Sequence, residues 1–206
     1  MKDLIVTVAD SYQQKLMEAL LPRVPVSSHT RNFSFDIILN PNHDSGSYNE
    51  SHELLRPFIN QYRFAIVLFD QEGCGMEHLK SGKEIEVDVY NQMNNNGWEQ
   101  RNSVIVIEPE LENWMWQDNV HVEQAIGWEK VNSLYDWARN EGLIRMDAIK
   151  PERPKETLEK ALRISNKPKS ASTYRKIAEN VSYRKCTDPA FLKLIHQLQL
   201  WFPVGS

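Results

Sequence analysis

The chain has 206 residues, of which 41% are hydrophobic and 25% charged, and its formal net charge is −4. This composition is typical of a folded globular protein and excludes a wholly disordered chain. No run approaches the ~20 apolar residues of a membrane-spanning helix, and two cysteines make no disulfide framework. We therefore expect a cytoplasmic protein that does not enter the membrane.

The first half of the chain alternates between predicted strands and predicted helices. Short apolar runs rich in β-branched residues predict four strands, at Leu4–Ala9, Phe33–Leu39, Phe64–Phe69 and Ser103–Ile107. Helical spacing of apolar residues predicts helices at Tyr12–Leu21, Glu50–Asn60 and Lys83–Met93, and turn formers predict a loop at Asn40–Gly46. Such alternation is typical of an α/β fold whose sheet is mostly parallel, has about four strands and is flanked by helices.

Charge divides the chain into two blocks. Residues 1–149 carry 12 Lys and Arg against 23 Asp and Glu, whereas residues 150–206 carry 12 against 5. The segment 150–170 is rich in proline and lysine, so we predict an α/β domain over 1–149 and a basic helical extension over 150–206 packed on it. A buried helix is expected over Pro189–Phe202. The basic block either binds a polyanion or is attracted to the acidic block across an internal interface.

At least one carboxylate follows every predicted strand. They are Asp10 after the first strand, Asp44 after the second, Asp70 and Glu72 after the third, and Glu108, Glu110 and Glu112 after the fourth. Ligands of open parallel sheets bind outside the carboxyl ends of the strands, so these acids are expected at one edge. Clustered carboxylates repel one another unless a cation lies between them, and an all-oxygen set favours Mg²⁺ or Mn²⁺.

Each acid also has a purely structural interpretation. Asp10 is placed to cap the helix that follows it, Asp44 lies among turn formers, and Glu112 is compatible with an exposed helical position. The pair Asp70 and Glu72 is different, because both acids end a very apolar strand and point the same way along an extended segment. We therefore expect this pair to be functional.

These residues resemble the Toprim catalytic fold, which occurs in topoisomerases, primases and a class of nucleases. The resemblance rests on an acid after the first strand, an acid–x–acid pair after a later apolar strand, and the α/β order. It implies that Asp10 acts as general acid/base and that Asp70 and Glu72 hold Mg²⁺. The usual first acid of that fold is glutamate followed by glycine, here Asp10 and Ser11, and the usual second acid of the pair is aspartate, here Glu72.

A narrower resemblance covers nearly the whole chain. Several stretches are similar to small Toprim-like proteins of bacterial phage-defence islands, including the methylation-associated defence system. These stretches are Pro41–Gly46, Leu54–Phe58, Val67–Gly75, Ile107–Trp116 and Cys186–Phe191. The resemblance implies a role in antiphage defence together with other proteins of the same system.

The sequence thus predicts a Mg²⁺- or Mn²⁺-dependent nuclease. Asp70 and Glu72 would be the primary metal ligands, and Glu108, Glu110 and Asp44 would complete the shell directly or through water. The basic extension would contact the nucleic-acid backbone through Arg153, Lys155, Lys167, Lys169, Arg175, Lys176, Arg184 and Lys185.

Two other functions remain open at this level. The chain is also compatible with a non-catalytic subunit of a multi-protein defence complex, in which the acids are a remnant or a docking surface. Hydrolysis of a small nucleotide or phosphoester is the third possibility, because nothing in the sequence determines the size of the substrate.

Overall fold

The computed structural model of the chain describes residues 1–116, 120–181 and 186–205. Its four strands are β1 (Lys2–Val8), β2 (Phe35–Leu39), β3 (Tyr62–Asp70) and β4 (Asn102–Ile107). They form one sheet in the order β2-β1-β3-β4, and every neighbouring pair is parallel. The prediction of a parallel α/β sheet of about four strands is confirmed.

Helices cover both faces of this sheet. Those of the first half are α1 (Ser11–Leu20), α2 (Val24–Ser28), α3 (His43–Asn49), α4 (Ser51–Leu55) and α5 (Gly82–Met93). Those of the second half are α6 (Glu112–Met115), α7 (Val120–Ile126), α8 (Leu134–Asn140), α9 (Pro154–Ile164), α10 (Ala171–Asn180) and α11 (Pro189–Trp201). In the described residues, no helix combines the length and the apolar character needed to cross a bilayer.

Two hydrophobic cores lie on opposite faces of the sheet. The larger core joins alternate residues of the strands to α1, α10 and α11, and the smaller core packs the other strand residues against α4 and α5. Ile66 and Leu68 face the larger core, whereas Ala65, Val67 and Phe69 face the smaller one, and all five are completely buried. A strand covered on both faces explains why β3 is a continuous apolar run.

The segment between β2 and β3 differs from its prediction. The expected loop at Asn40–Gly46 contains the start of α3, and the single helix expected over Glu50–Asn60 is the short α4 followed by a 3₁₀ turn at Arg56–Phe58. Gly46 permits this packing, because a Cβ atom there would lie 2.3 Å from Oδ1 of Asn40. The turn-forming residues therefore include the start of a helix, because Gly46 has no Cβ atom and can pack against Asn40 at the end of β2.

The described residues of the basic C-terminal block are largely helical, as the sequence predicts. The proline- and lysine-rich segment 150–170 contains α9, and α10 packs along α1, where the rings of Tyr174 and Tyr12 have centroids 4.8 Å apart. The last helix, α11, lies against β4. This packing brings lysines of the basic block close to the carboxyl edge of the sheet.

Candidate metal and phosphate site

Carboxylates from separate elements meet at the carboxyl edge of the sheet. Asp70 is the last residue of β3, Asp10 follows β1 and caps α1, Asp44 lies in the first turn of α3, and Glu112 begins α6. We call these four residues the acid centre. The charges of Asp44, Glu112 and Asp10 all act on Asp70, so the predicted convergence of acids at one edge is present for these four.

Asp70 lies in the middle of the acid centre. Its Oδ1 accepts a hydrogen bond from Nε2 of Gln13 at 3.0 Å, and the backbone N–H of Leu111 also donates to its carboxylate. Burial, followed by the charges of Asp44 and Glu112, raises the pKa of Asp70 well above its ordinary value. An anion in this position is held at a cost, and a cation next to it would remove that cost.

Asp44 is bonded directly to the end of β3. Its Oδ1 accepts a hydrogen bond of 2.9 Å from the backbone N–H of Asp70. Burial and the charge of Asp10 raise the pKa of Asp44, against the opposing effect of that hydrogen bond. Gly73 passes this carboxylate with φ +88°, and a Cβ on it would lie 3.8 Å from Oδ2 of Asp44. That distance is an ordinary van der Waals contact, so the loop after β3 favours glycine here for its backbone conformation.

Asp10 caps α1, and its charge also acts on the neighbouring acids. Its Oδ1 accepts hydrogen bonds of 2.8 Å from the backbone N–H groups of Tyr12 and Gln13, so it is the N-cap of α1. The same carboxylate contributes to the raised pKa values of Asp44 and Asp70. Both capping hydrogen bonds go to Oδ1, so Oδ2 of Asp10 takes no part in them.

Glu112 is buried and already has two partners. Its side chain is 4% exposed, its Oε1 lies 3.0 Å from Nζ of Lys169, and the hydroxyl of Tyr174 donates to the same oxygen. The ammonium of Lys169 also lies 5.0 Å from the ring centroid of Tyr12, within the range of a cation–π contact. The basic block thus neutralises one member of the acid centre.

A cleft lies beside the acid centre. It has a volume of about 240 Å³, and its lining includes Glu72, Glu110 and Pro154. Glu110 is 2% exposed, and its Oε1 accepts the backbone N–H of Lys155 at 2.9 Å while its Oε2 lies 3.5 Å from the Lys155 ammonium. Burial, followed by the charge of Glu112, raises the pKa of Glu110 to about 7 despite that lysine.

The remaining two predicted metal ligands lie at the margin. Glu72 is exposed on the loop after β3, and its charge acts on Glu110. Glu108 is exposed and packs over the start of α5, where a Cβ on Gly82 would lie 2.1 Å from its Oε1. The acids predicted as one metal shell are therefore distributed over the acid centre, the neighbouring cleft and the α5 terminus.

The basic residues predicted to contact nucleic acid fall into two groups. Lys155 and Lys169 point inward to Glu110 and Glu112. Burial alone would lower the pKa of Lys155, but Glu110, Glu112 and Asp70 together raise it.

The other predicted nucleic-acid contacts within the described residues are exposed. Arg153 pairs with Glu156 at 3.4 Å, Arg175 pairs with Glu179 at 2.8 Å, and Lys167 packs beside Gly127. Lys176 is exposed on α10. Arg184 and Lys185 lie outside the described residues.

The donor chemistry of the acid centre fits a hard divalent cation. Its side chains offer carboxylate oxygens as donor atoms, and Asp10 and Asp44 use Oδ1 for the hydrogen bonds described above. Over the described ranges, with the gaps at 117–119, 182–185 and 206, no three His, Cys, Asp or Glu side chains form a set that could hold a metal ion by themselves. Mg²⁺ often binds through one or two carboxylates and several waters, and such a binding mode does not require three protein ligands.

Two residues of the site, Gln13 and Tyr174, were not expected from the sequence. Gln13 is 1% exposed and connects the ends of β1 and β3. Its Oε1 accepts the N–H of Ala9 at 2.8 Å, and its Nε2 donates to Asp70. Glu112 and Tyr174 meet across 62 residues of chain. Polar residues at otherwise apolar helical positions, such as Gln13 on α1, are the one sequence signal that indicates such contacts.

Comparison with known protein families, with characterised proteins and with solved structures finds no match to this chain. The Toprim resemblance therefore rests on the residues named above and remains a prediction.

Proposed function

We propose that the chain is a Mg²⁺- or Mn²⁺-dependent phosphodiesterase acting on nucleic acid in bacterial antiphage defence. The observation that carries the proposal is the convergence of Asp44, Glu112 and Asp10 on the buried Asp70. Burial first, and then the charges of these acids, raise the pKa of Asp70 well above its ordinary value. Mutually repelling carboxylates at the carboxyl edge of a parallel sheet are what a divalent cation stabilises.

The residues have distinct roles in this proposal. Asp44 and Asp70 hold the cation, and Gln13 orients Asp70 through its hydrogen bond of 3.0 Å. A bound Mg²⁺ supplies Lewis-acid stabilisation of phosphoryl charge and a water of lowered pKa. Asp10, fixed by the N-terminal N–H groups of α1, transfers a proton to or from the reacting oxygen, a role typically contributing ~10²- to 10⁴-fold in rate.

Substrate contact would come from the exposed cations of the basic block. Arg153, Lys167 and Lys176 are exposed, and attraction of this kind is blind to sequence and weakens with salt. The positive charges of Lys155 and Lys169 partly neutralise Glu110 and Glu112. They thereby lower the electrostatic repulsion that an approaching phosphate meets.

The test measures cleavage of supercoiled plasmid and of single-stranded RNA with Mg²⁺, with Mn²⁺ and with excess chelator. We expect cleavage only with metal, loss of at least a hundredfold in Asp70→Asn, and a ~10²- to 10⁴-fold loss in Asp10→Asn. Asp136→Asn, which changes an exposed acid on α8, is the matched control and should retain full activity. Metal-independent cleavage, or full activity in Asp70→Asn, would refute the proposal.

A second candidate is a non-catalytic subunit of a defence complex. It is favoured by the ion pairs of Glu110 with Lys155 and of Glu112 with Lys169, because acids already paired with lysines have less need of a metal. On this view Asp70→Asn retains protection in a phage-plaque assay and still co-purifies with the other components. Loss of protection in Asp70→Asn, with the complex still assembled, would favour the enzyme.

A further inference from the structure

The chain after α9 turns back onto the last turn of that helix. Asn166 has φ +51°, and its N–H donates to the carbonyl oxygen of Arg163 at 3.1 Å. The N–H of Lys167 donates to the carbonyl oxygen of Leu162 at 2.9 Å. These two hydrogen bonds form a Schellman motif, in which a residue in the left-handed conformation ends a helix. The motif brings Lys167 to the turn of α9 that carries Arg163.

A pocket of about 230 Å³ lies at this turn, and we call it the α9 pocket. Its lining includes three cations and one acid. The lining residues are Glu159, Leu162, Arg163, Lys167, Pro168 and Lys169. A Cβ atom on Gly127, directly after α7, would lie 2.8 Å from Cε of Lys167. The aliphatic part of Lys167 therefore packs on the protein surface, as long basic side chains commonly do.

The positive charges of the α9 pocket exceed its negative charge. Nζ of Lys169 lies 3.2 Å from Oε1 of Glu159, so these two charges pair with each other. In the part of the chain that the structure describes, no carboxylate forms an ion pair with Arg163 or Lys167. Two uncompensated cations therefore share one concave site, and an anion bound between them would offset their mutual repulsion.

The α9 pocket adjoins the acid centre through Lys169. The Nζ atom that pairs with Glu159 also lies 3.0 Å from Oε1 of Glu112. The same ammonium lies 5.0 Å from the ring centroid of Tyr12, whose backbone N–H donates to Asp10. One lysine thus lies between the pocket and two members of the acid centre, so a single polyanion can reach both places.

We propose that the α9 pocket binds a backbone phosphate of nucleic acid through Arg163 and Lys167. Binding in the pocket requires no catalysis, whereas the continuation of the same strand to the acid centre rests on the proposed function. The guanidinium of Arg163 offers paired N–H donors that match two phosphate oxygens, and Lys167 adds a point charge. Arg163 is not among the basic residues that the sequence predicts for this contact, because a charge count does not show which cations share a pocket.

The test measures binding of a fluorescein-labelled oligothymidine strand to the full chain by anisotropy, in excess chelator and at several salt concentrations. Chelator prevents metal-dependent cleavage, so the outcome concerns the pocket and not the proposed catalysis. One phosphate contact on a single strand contributes about 0.7 to the slope of log affinity against log salt. Arg163→Met and Lys167→Met should each reduce that slope by about 0.7, which is about a fivefold loss of affinity at ~0.1 M salt.

Three further variants make the test specific. Arg56→Met removes the same charge from the exposed 3₁₀ turn after α4, beside the smaller core, and should retain the wild-type slope. Arg163→Lys retains the charge in the pocket and should retain the slope as well. Glu159→Gln removes the acid of the pocket and should tighten binding.

A wild-type slope in Arg163→Met would overturn the proposal, and a lowered melting temperature in that variant would then assign Arg163 to stabilising the end of α9. The second probe is thymidine monophosphate. If it binds as tightly as the oligonucleotide, the pocket holds a free nucleotide and its assignment to the nucleic-acid backbone is wrong. Slopes that change as expected, without any cleavage in the presence of metal, would refute the proposed function and leave the pocket established.

Discussion

Replacing Glu110 by glutamine should change the pH dependence of stability. Glu110 is buried and its pKa is raised from 4.5 to about 7, so the folded state holds its proton more tightly than the unfolded state does. Its contribution to stability is therefore fully present below about pH 4.5 and is lost as the pH rises to about 7. Glutamine has no charge to bury, and its side-chain oxygen can still accept the N–H of Lys155.

The magnitude follows from the pKa values. A tenfold change in a protonation equilibrium corresponds to about 1.4 kcal/mol, so ionised Glu110 costs the folded state about 3 kcal/mol. Part of this cost is already present at pH 5, and nearly all of it is present at pH 8. We expect Glu110→Gln to gain about 2 kcal/mol more over wild type at pH 8 than at pH 5.

The assay is urea unfolding of both proteins at pH 5 and pH 8, followed by tryptophan fluorescence. Taking the difference between variant and wild type removes the titration of all other groups. The reasoning fails if the variant is destabilised at pH 8, or if the difference between the two proteins does not vary with pH.

Three further predictions concern the acid centre. Asp70→Asn should be more stable than wild type at pH 8 without metal and should lose this advantage toward pH 4. The reason is that the pKa of Asp70 is raised, so its ionised form destabilises the folded state. Thermal melts of both proteins at the two pH values measure the difference. Tyr174→Phe should lose about 1 kcal/mol, because it removes the hydroxyl that donates to buried Glu112, and urea unfolding measures it. Gly73→Ala should cost about 1 kcal/mol or more, because φ is +88° and alanine is strained there. Gly75→Ala, also at positive φ, should show a similar loss in the same measurement, because a Cβ atom is not crowded at either position.

Much of the fold could be predicted from local pattern. The continuous apolar runs of β1, β3 and β4 differ clearly from the spaced apolar residues of α1 and α5, and their order along the chain implies a parallel sheet. Once the strands are parallel, the acids that follow them share an edge. Asp10 and Asp70 could be placed in this way without any structure.

Contacts between distant helices could not be predicted in the same way. Lys155 and Lys169 look like solvated cations in a basic segment, yet they point to Glu110 and Glu112 because α9 and α10 pack beside the carboxyl edge. The sequence pattern allows either an external polyanion or an internal acid as the partner of a lysine. Only the packing of the helices selects between them.

Anomalous scattering from crystals soaked in Mn²⁺ tests the acid centre most directly. We predict one Mn²⁺ peak in contact with Asp70 and Asp44, absent from crystals of Asp70→Asn. A clear map without a peak beside Asp70, or a peak bound only in the cleft of Glu72 and Glu110, would contradict the account.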